Sequence, residues 1–230
     1  DETSASVCID GKVINNIIAT QSVHKDYGGV VPELASRAHQ KNIVTVIHST
    51  LNDAQITFDD LSAIAVTQGP GLLGALIVGY SYAQSLSYAL NIPLINVHHM
   101  KAHILANFID DPKPNFPFLC LTVSGGHTQI IKVIGPLEMI ELGNTIDDAV
   151  GEAFDKGAKL LGFPYPGGPF IDKYAKKGDS NRFQFAESNV SGLNFSFSGI
   201  KTSLLYFLKD QQKHSPNFIQ ENIHDICASY

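Results

Sequence analysis

The sequence predicts an α/β protein built as two similar lobes, and three observations carry that expectation. Apolar runs of strand length alternate with stretches of helical period along the 230 residues. Glycine turns punctuate the ends of strands, at Gly69-Pro70-Gly71-Leu72-Leu73-Gly74 and at Ser124-Gly125-Gly126. After the polar loop Asp110 to Asn115 the pattern restarts, which places the lobes at residues 1–110 and 111–230. A cleft between two such lobes is a common seat for a nucleotide.

Each element follows from local chemistry. Ser6 to Asp10 and Lys12 to Thr20 form a β-hairpin, because Asp10-Gly11 supplies the positive φ of a tight turn. Gly28-Gly29 marks a loop, and Pro32 fits the first turn of a helix from Glu33 to about Leu51, with Leu34, Ala38, Ile43 and Ile47 near one face. Leu61 to Thr67 is a buried strand. An apolar helix follows the glycine turn to about Leu90. Its expected role is an ordinary core helix, with a partner-facing stripe carrying Tyr80, Tyr82 and Tyr88 as the alternative. Ile92 to Val97 is a strand, and His99 to about Ile109 a helix.

In the second half, Phe118 to Val123, Thr128 to Ile134 and Leu137 to Leu142 are three consecutive strands. A helix runs from Asp147 to Leu161, with Asp147 and Asp148 placed favourably at its positive end. The turn Pro164 to Pro169 precedes a helix to Lys177. A loop containing Ser196-Phe197-Ser198-Gly199 precedes a helix to about Gln212. A last helical pattern starts near Pro216, with Phe218, Ile219, Ile223 and Ile226 on one side. This pattern runs to the last residue, and the chain opens without Met, so sequence is expected beyond both ends, more of it at the C-terminus.

Composition narrows the function. Apolar runs are interrupted within about 8 residues, far short of the roughly 20 that a membrane helix needs, and no signal peptide is visible. Cys8, Cys120 and Cys227 are far apart and match neither a metal spacing nor a disulfide framework, which points to a reducing cytoplasm. The net charge of -6 argues against a broad basic surface for nucleic acid. Lys12, Lys25, Arg37, Lys41 and Lys101 are scattered, with no basic run interleaved with aromatics.

Five motifs carry chemistry. His99 and His103 stand four apart on a helix, so both imidazoles share a face and suit one metal ion. The zinc peptidase motif has Glu directly after its first His; here that position is Met100, which argues against peptide hydrolysis. His98 is expected to point away and bond at the helix start. Gly69 to Gly74 matches the letters of a dinucleotide fingerprint, but no Asp or Glu occurs from Leu61 through Ile109 to hold a ribose. It is better read as a turn with free N–H groups, or as glycine for close packing. Ser124-Gly125-Gly126 permits backbone approach to phosphate, or is a plain hairpin turn. Asp148, Glu152 and Asp155 recur at helical spacing, as a solvated face or as groups converging on ribose hydroxyls or a metal-bound water. Gly167-Gly168 before a helix is a further turn with exposed N–H groups.

Together these segments resemble one family, the universal tRNA threonylcarbamoyltransferase subunit TsaD, once described as a glycoprotease. The stretches are Asp1-Glu2-Thr3-Ser4, Gly28 to Glu33, Gly69 to Gly74, His99-Met100-Lys101-Ala102-His103, Val123 to Thr128, Gly151-Glu152-Ala153-Phe154-Asp155-Lys156, Tyr165 to Pro169 and Phe197 to Thr202. They span nearly the whole chain in family order. His127 resembles the bacterial or mitochondrial branch, where the archaeal and eukaryotic branch usually has Asn.

The resemblance implies an actin-like ATPase fold of the sugar kinase and heat-shock protein superfamily, two lobes around a nucleotide cleft, with the C-terminal part missing. It implies transfer of the threonylcarbamoyl group of threonylcarbamoyl-AMP to N6 of the adenosine 3′ of the anticodon. By position, His99 and His103 would bind iron or zinc. Thr122, Val123, Ser124, Gly125, Gly126, Asp155, Gly168 and Asp172 would line the adenylate site, with ATP or ADP as further occupants. A third metal ligand, an Asp, and a nucleoside-contacting Asn belong to a C-terminal region outside this sequence. The implied partners are tRNA, the smaller relative TsaB and the ATPase TsaE, and no membrane. No side chain stands out as a general base. Two other functions compete: a metal-dependent glycoprotein endopeptidase, and a non-catalytic actin-like nucleotide-binding module.

Overall fold

The structure, a computed structural model, describes residues 2–21, 27 and 29–230. Asp1, Lys25 and Gly28 lie outside the described residues. The protein is mixed α/β. The chain divides into two compact units, Asp1–Pro114 and Asn115–Tyr230.

The first unit opens with strands β1 (Thr3–Ile9) and β2 (Lys12–Ala19), paired antiparallel. Asp10 and Gly11 both take positive φ, 50° and 78°, the conformation that an Asp-Gly turn favours. The ladder slips between Val7 and Cys8, leaving Ile14 as the extra residue next to Asn15. Asn15 Oδ1 accepts the Val7 N–H at 3.0 Å, and its Nδ2 donates to the Thr50 carbonyl at 2.8 Å and to Asp53 Oδ2 at 3.0 Å. One side chain thus ties the hairpin to helix α1 (Pro32–Asp53), which buries Ala35, Val46, Thr50 and Leu51. Pro32 starts that helix, where its missing N–H costs nothing.

Strands β3 (Ile64–Gly69) and β4 (Leu94–His98) pair in parallel, joined by helix α2 (Leu73–Leu90). Both strands start later than expected, β3 after a 3-10 turn at Phe58–Asp60 whose capping box joins Thr57 and Asp60. The expectation of an ordinary core helix for α2 is corrected. Only Ala83 is buried, while Leu73 is 73%, Ile77 53% and Tyr88 90% exposed. The helix carries no charged residue, and apolar side chains lie on both its packed and its open side. Helix α3 (His99–Leu105) is shorter than expected and tightens into a 3-10 turn at Ala106–Phe108.

The second unit begins with the antiparallel sheet β5 (Phe118–Val123), β6 (Thr128–Val133) and β7 (Met139–Asn144), in that order. The third strand starts at Met139 rather than Leu137, because Gly135 and Glu138 close a turn on each other's backbone. Four helices follow: α4 (Val150–Leu160), α5 (Gly168–Ala175), α6 (Ser198–His214) and α7 (Phe218–Ser229). Their core holds Ala158, Leu161, Ile171, Leu204, Leu208 and Ile226, all at most 8% exposed. Burial pushes the Cys227 thiol in this core up to about 11, so it is protonated and inert at neutral pH.

Helix α4 begins at Val150, not at Asp147. Asp147 is held elsewhere, by the Ser196 hydroxyl at 2.5 Å, the Ser198 hydroxyl at 2.7 Å and the Phe197 and Ser198 N–H groups at 2.8 and 3.3 Å. Asp147 therefore caps the start of α6. The segment before it runs beside β7: Phe195 N–H donates to the Asn144 carbonyl, and Gly143 leaves room for the Leu193 backbone.

Candidate metal and nucleotide-binding residues

His98 ends β4 and caps α3, its Nδ1 accepting the Lys101 N–H at 3.4 Å. This is the bonding position expected of it. Met100 and Ile104 turn inward and are buried. His99 and His103 lie one turn apart, with His103 exposed. Their Nε2 atoms are 3.1 Å apart, and the ring centroids 4.4 Å. Two nitrogens on a tetrahedral zinc ion, each at about 2.0–2.1 Å, would stand about 3.3 Å apart. The pair thus fits two places of a metal shell. Among the described residues no group of three or more His, Cys, Asp or Glu completes one. The position after the first His faces the core, so no general base can stand there.

The segment Ser124–His127 turns β5 into β6. Ser124 N–H donates to the His127 carbonyl at 2.9 Å, and its hydroxyl accepts the His127 N–H at 3.0 Å and the Gly126 N–H at 3.4 Å. It is a self-bonded hairpin turn. Side chains on Gly125 and Gly126 would meet nothing within 4 Å, so this side of the backbone is open to a ligand. Thr122 is buried in β5 and Val123 is 56% exposed.

The turn rests on the first turn of α4. Gly151 N–H donates to the Ser124 carbonyl at 3.3 Å, and Val150 N–H to Thr128 Oγ1 at 3.0 Å. One turn further, Asp155 Oδ1 accepts the Gly167 N–H at 2.7 Å and the Gly168 N–H at 3.4 Å. Asp155 thereby fixes the turn that opens α5. The other two acids of the expected cluster point elsewhere. Lys156 Nζ bridges Asp148 Oδ1 at 2.7 Å and Glu152 Oε1 at 2.9 Å, and these bonds raise its pKa. The convergence of all three acids on one ligand is corrected accordingly: Asp148 precedes α4 and pairs with Lys156. Asp148 Oδ2 is buried without a partner among the described residues. Burial first, then the charge of Asp148, pushes the Tyr230 hydroxyl up to about 12, and it donates to the Ala153 carbonyl at 2.7 Å. Asp172, one turn into α5, pairs with Lys176 at 2.7 Å in solvent.

The glycine turn before α2 serves packing at one point at least. A Cβ on Gly74 would meet Ser36 of α1 at 3.3 Å. This is the close-approach use of glycine, between two helices rather than helix and strand. Sequence reasoning gave no role to Thr128, nor one of its own to Gly151. The available signal was a glycine in the first turn of a helix, where every residue but proline has the higher helix propensity.

The chain matches the family described as TsaD, tRNA N6-adenosine threonylcarbamoyltransferase, over residues 12–230. It is 61% identical to the tRNA N6-adenosine threonylcarbamoyltransferase of Christiangramia forsetii, covering all of this chain and 68% of that protein. The corresponding protein of Cytophaga hutchinsonii is 58% identical, with 67% of it covered, and that of Porphyromonas gingivalis 54%, with 69% covered. Among solved structures, YeaZ from Pseudomonas aeruginosa is 16% identical with a TM-score of 0.40, over 60% of this chain and 57% of that one. That likeness is too loose to bear on fold or partner. The match across 12–230 and the identity to these relatives along all of this chain make it a member of the TsaD family of tRNA N6-adenosine threonylcarbamoyltransferases.

Proposed function

We infer that the chain transfers the threonylcarbamoyl group of threonylcarbamoyl-AMP to N6 of the adenosine 3′ of the anticodon in tRNAs that read codons beginning with A. The observation that carries this is the 61% identity, along the whole chain, to a tRNA N6-adenosine threonylcarbamoyltransferase. The fold assigned with it is the actin-like ATPase fold, with lobes at 1–110 and 111–230. The setting is the cytoplasm; no helix among the described residues is long and apolar enough to cross a membrane.

The residues divide the work by their chemistry. The open backbone at Gly125 and Gly126 receives the adenylate phosphate, where amide dipoles favour negative charge. Thr122, Val123, Ser124, Asp155, Gly168 and Asp172 line the remainder of the donor site. Asp155 does so while holding the Gly167 and Gly168 amides in place. His99 and His103 hold one iron or zinc ion, in keeping with the 3.1 Å between their Nε2 atoms. Held there, such an ion would supply Lewis-acid chemistry. The N6 amine bonds to the carbamoyl carbon, the carbon–oxygen bond to AMP breaks with its electron pair leaving on the phosphate, and the amine proton passes to solvent; fixing both reactants supplies much of the rate. TsaB-like and TsaE-like proteins act alongside, with tRNA as acceptor.

The test is transfer of labelled threonine into tRNA, with both partners, ATP, bicarbonate and a source of the adenylate supplied. Label on the adenosine beside the anticodon is the expected result. Absence of label with the full-length protein, beside an active homologue as control, would reject the transferase reading. The endopeptidase alternative is disfavoured by buried Met100, which stands where a peptidase carries its general base.

A further inference from the structure

The geometry points to Gly151 as a positioning residue that sets the spacing of the two glycine turns at the donor site. The inference rests on the reading that these turns hold the adenylate. Gly151 and Asp155 stand one turn apart on the same face of α4. The Ser124-Gly125 turn sits on the first, and the Gly167-Gly168 turn is bonded to the second.

Gly151 lies within α4 and has no positive φ to call for glycine. Space calls for it instead. A Cβ at this position would stand 2.8 Å from the Ser124 carbonyl oxygen, 2.9 Å from Gly125 Cα and 3.0 Å from Gly125 N. All three are backbone atoms, so no side chain can swing aside. The turn would have to lift from the helix and carry Gly125 and Gly126 with it. The second turn is seated equally closely: a Cβ on Gly167 would collide with the Ala158 Cβ. Helix α4 therefore works as a ruler, and the hydrogen bonds from Gly151 to Ser124 and from Val150 to Thr128 fix its first mark.

The experiment is calorimetric titration of the full metal-loaded chain with AMP, well below its melting temperature. In Gly151→Ala the dissociation constant should rise about tenfold or more, the scale on which misplaced groups lose their effect, with stoichiometry unchanged. An unchanged constant overturns the proposal. A lower stoichiometry at unchanged constant also overturns it, because that marks a merely structural role. Should Gly151→Ala not fold, Thr128→Val removes the hydroxyl that holds Val150 at the same junction. It should raise the constant in the same sense, and no change there overturns the proposal. If the unsubstituted chain binds no AMP, the nucleotide reading itself fails and the proposal falls with it.

Discussion

Asp147 accepts four hydrogen bonds, from Ser196, Phe197 and both donor groups of Ser198. Burial alone would push its carboxyl up. The Ser196 hydroxyl, the Phe197 N–H and the two Ser198 donors outweigh that and bring it from 3.8 down to about 2. A carboxylate whose folded pKa is depressed stabilises the fold above its ordinary value and loses that stabilisation as pH falls toward the folded one. Asp147→Asn should therefore melt lower than the parent at pH 7, and the gap should close as pH falls from 3.8 toward about 2. A melting-temperature series against pH reads this directly; a constant gap would mean that the charge of Asp147 is not what holds α6. The other residue-scale prediction concerns the metal. His99→Ala and His103→Ala each remove one of two adjacent nitrogens, so each should lower bound iron or zinc, measured by elemental analysis after dialysis. Retained metal in both variants would place the ion elsewhere.

Elements were legible where their signals are local. Asp10-Gly11 announces its turn and Pro32 its helix start, because positive φ and a missing N–H act within a residue or two. Boundaries drawn by distant groups were not legible. The start of α4 moved from Asp147 to Val150 because Asp147 serves Ser196 and Ser198, some fifty residues away in sequence. The exposure of α2 was hidden for a related reason: it is mostly apolar and carries no charge, and periodicity does not say which side finds a neighbour. At the candidate site, the helical spacing of His99 and His103 was readable, whereas the role proposed for Gly151 depends on a backbone contact between α4 and the distant β5–β6 turn. Packing of α6 gives the prediction at this scale. Leu204 is fully buried at 0% exposure among Leu208, Ile226 and Ile171. Leu204→Ala should cost about 2–5 kcal/mol in urea unfolding, the range for a cavity in a close-packed core. A loss under about 1 kcal/mol would mean that the surrounding helices collapse into the space.

Charge acts on the molecule as a whole. With Lys and Arg at 16 against Asp and Glu at 22, the net charge is -6. The proposed acceptor is a polyanion, and affinity for polyanions comes mostly from neutralised phosphates and their released counterions. Several cations are already committed: Lys156 to Asp148 and Glu152, Lys176 to Asp172, Arg182 to Asp225 and Arg37 to Glu33. A chain so balanced should hold tRNA by itself no more tightly than nonspecific binders do, with a dissociation constant above about 1 µM at physiological salt. The proposed TsaB-like partner would then supply basic surface or order the tRNA contact. Fluorescence anisotropy with labelled tRNA, taken across a salt series, separates the cases. Adding the partner should tighten binding about tenfold or more and steepen the dependence of affinity on salt, since each newly neutralised phosphate adds to that slope. A steep slope and submicromolar binding by the chain alone would instead locate the contact in its own cations. Lys101, which forms no ion pair among the described residues, stands on α3 on the side away from His99 and His103 and would be the first to substitute.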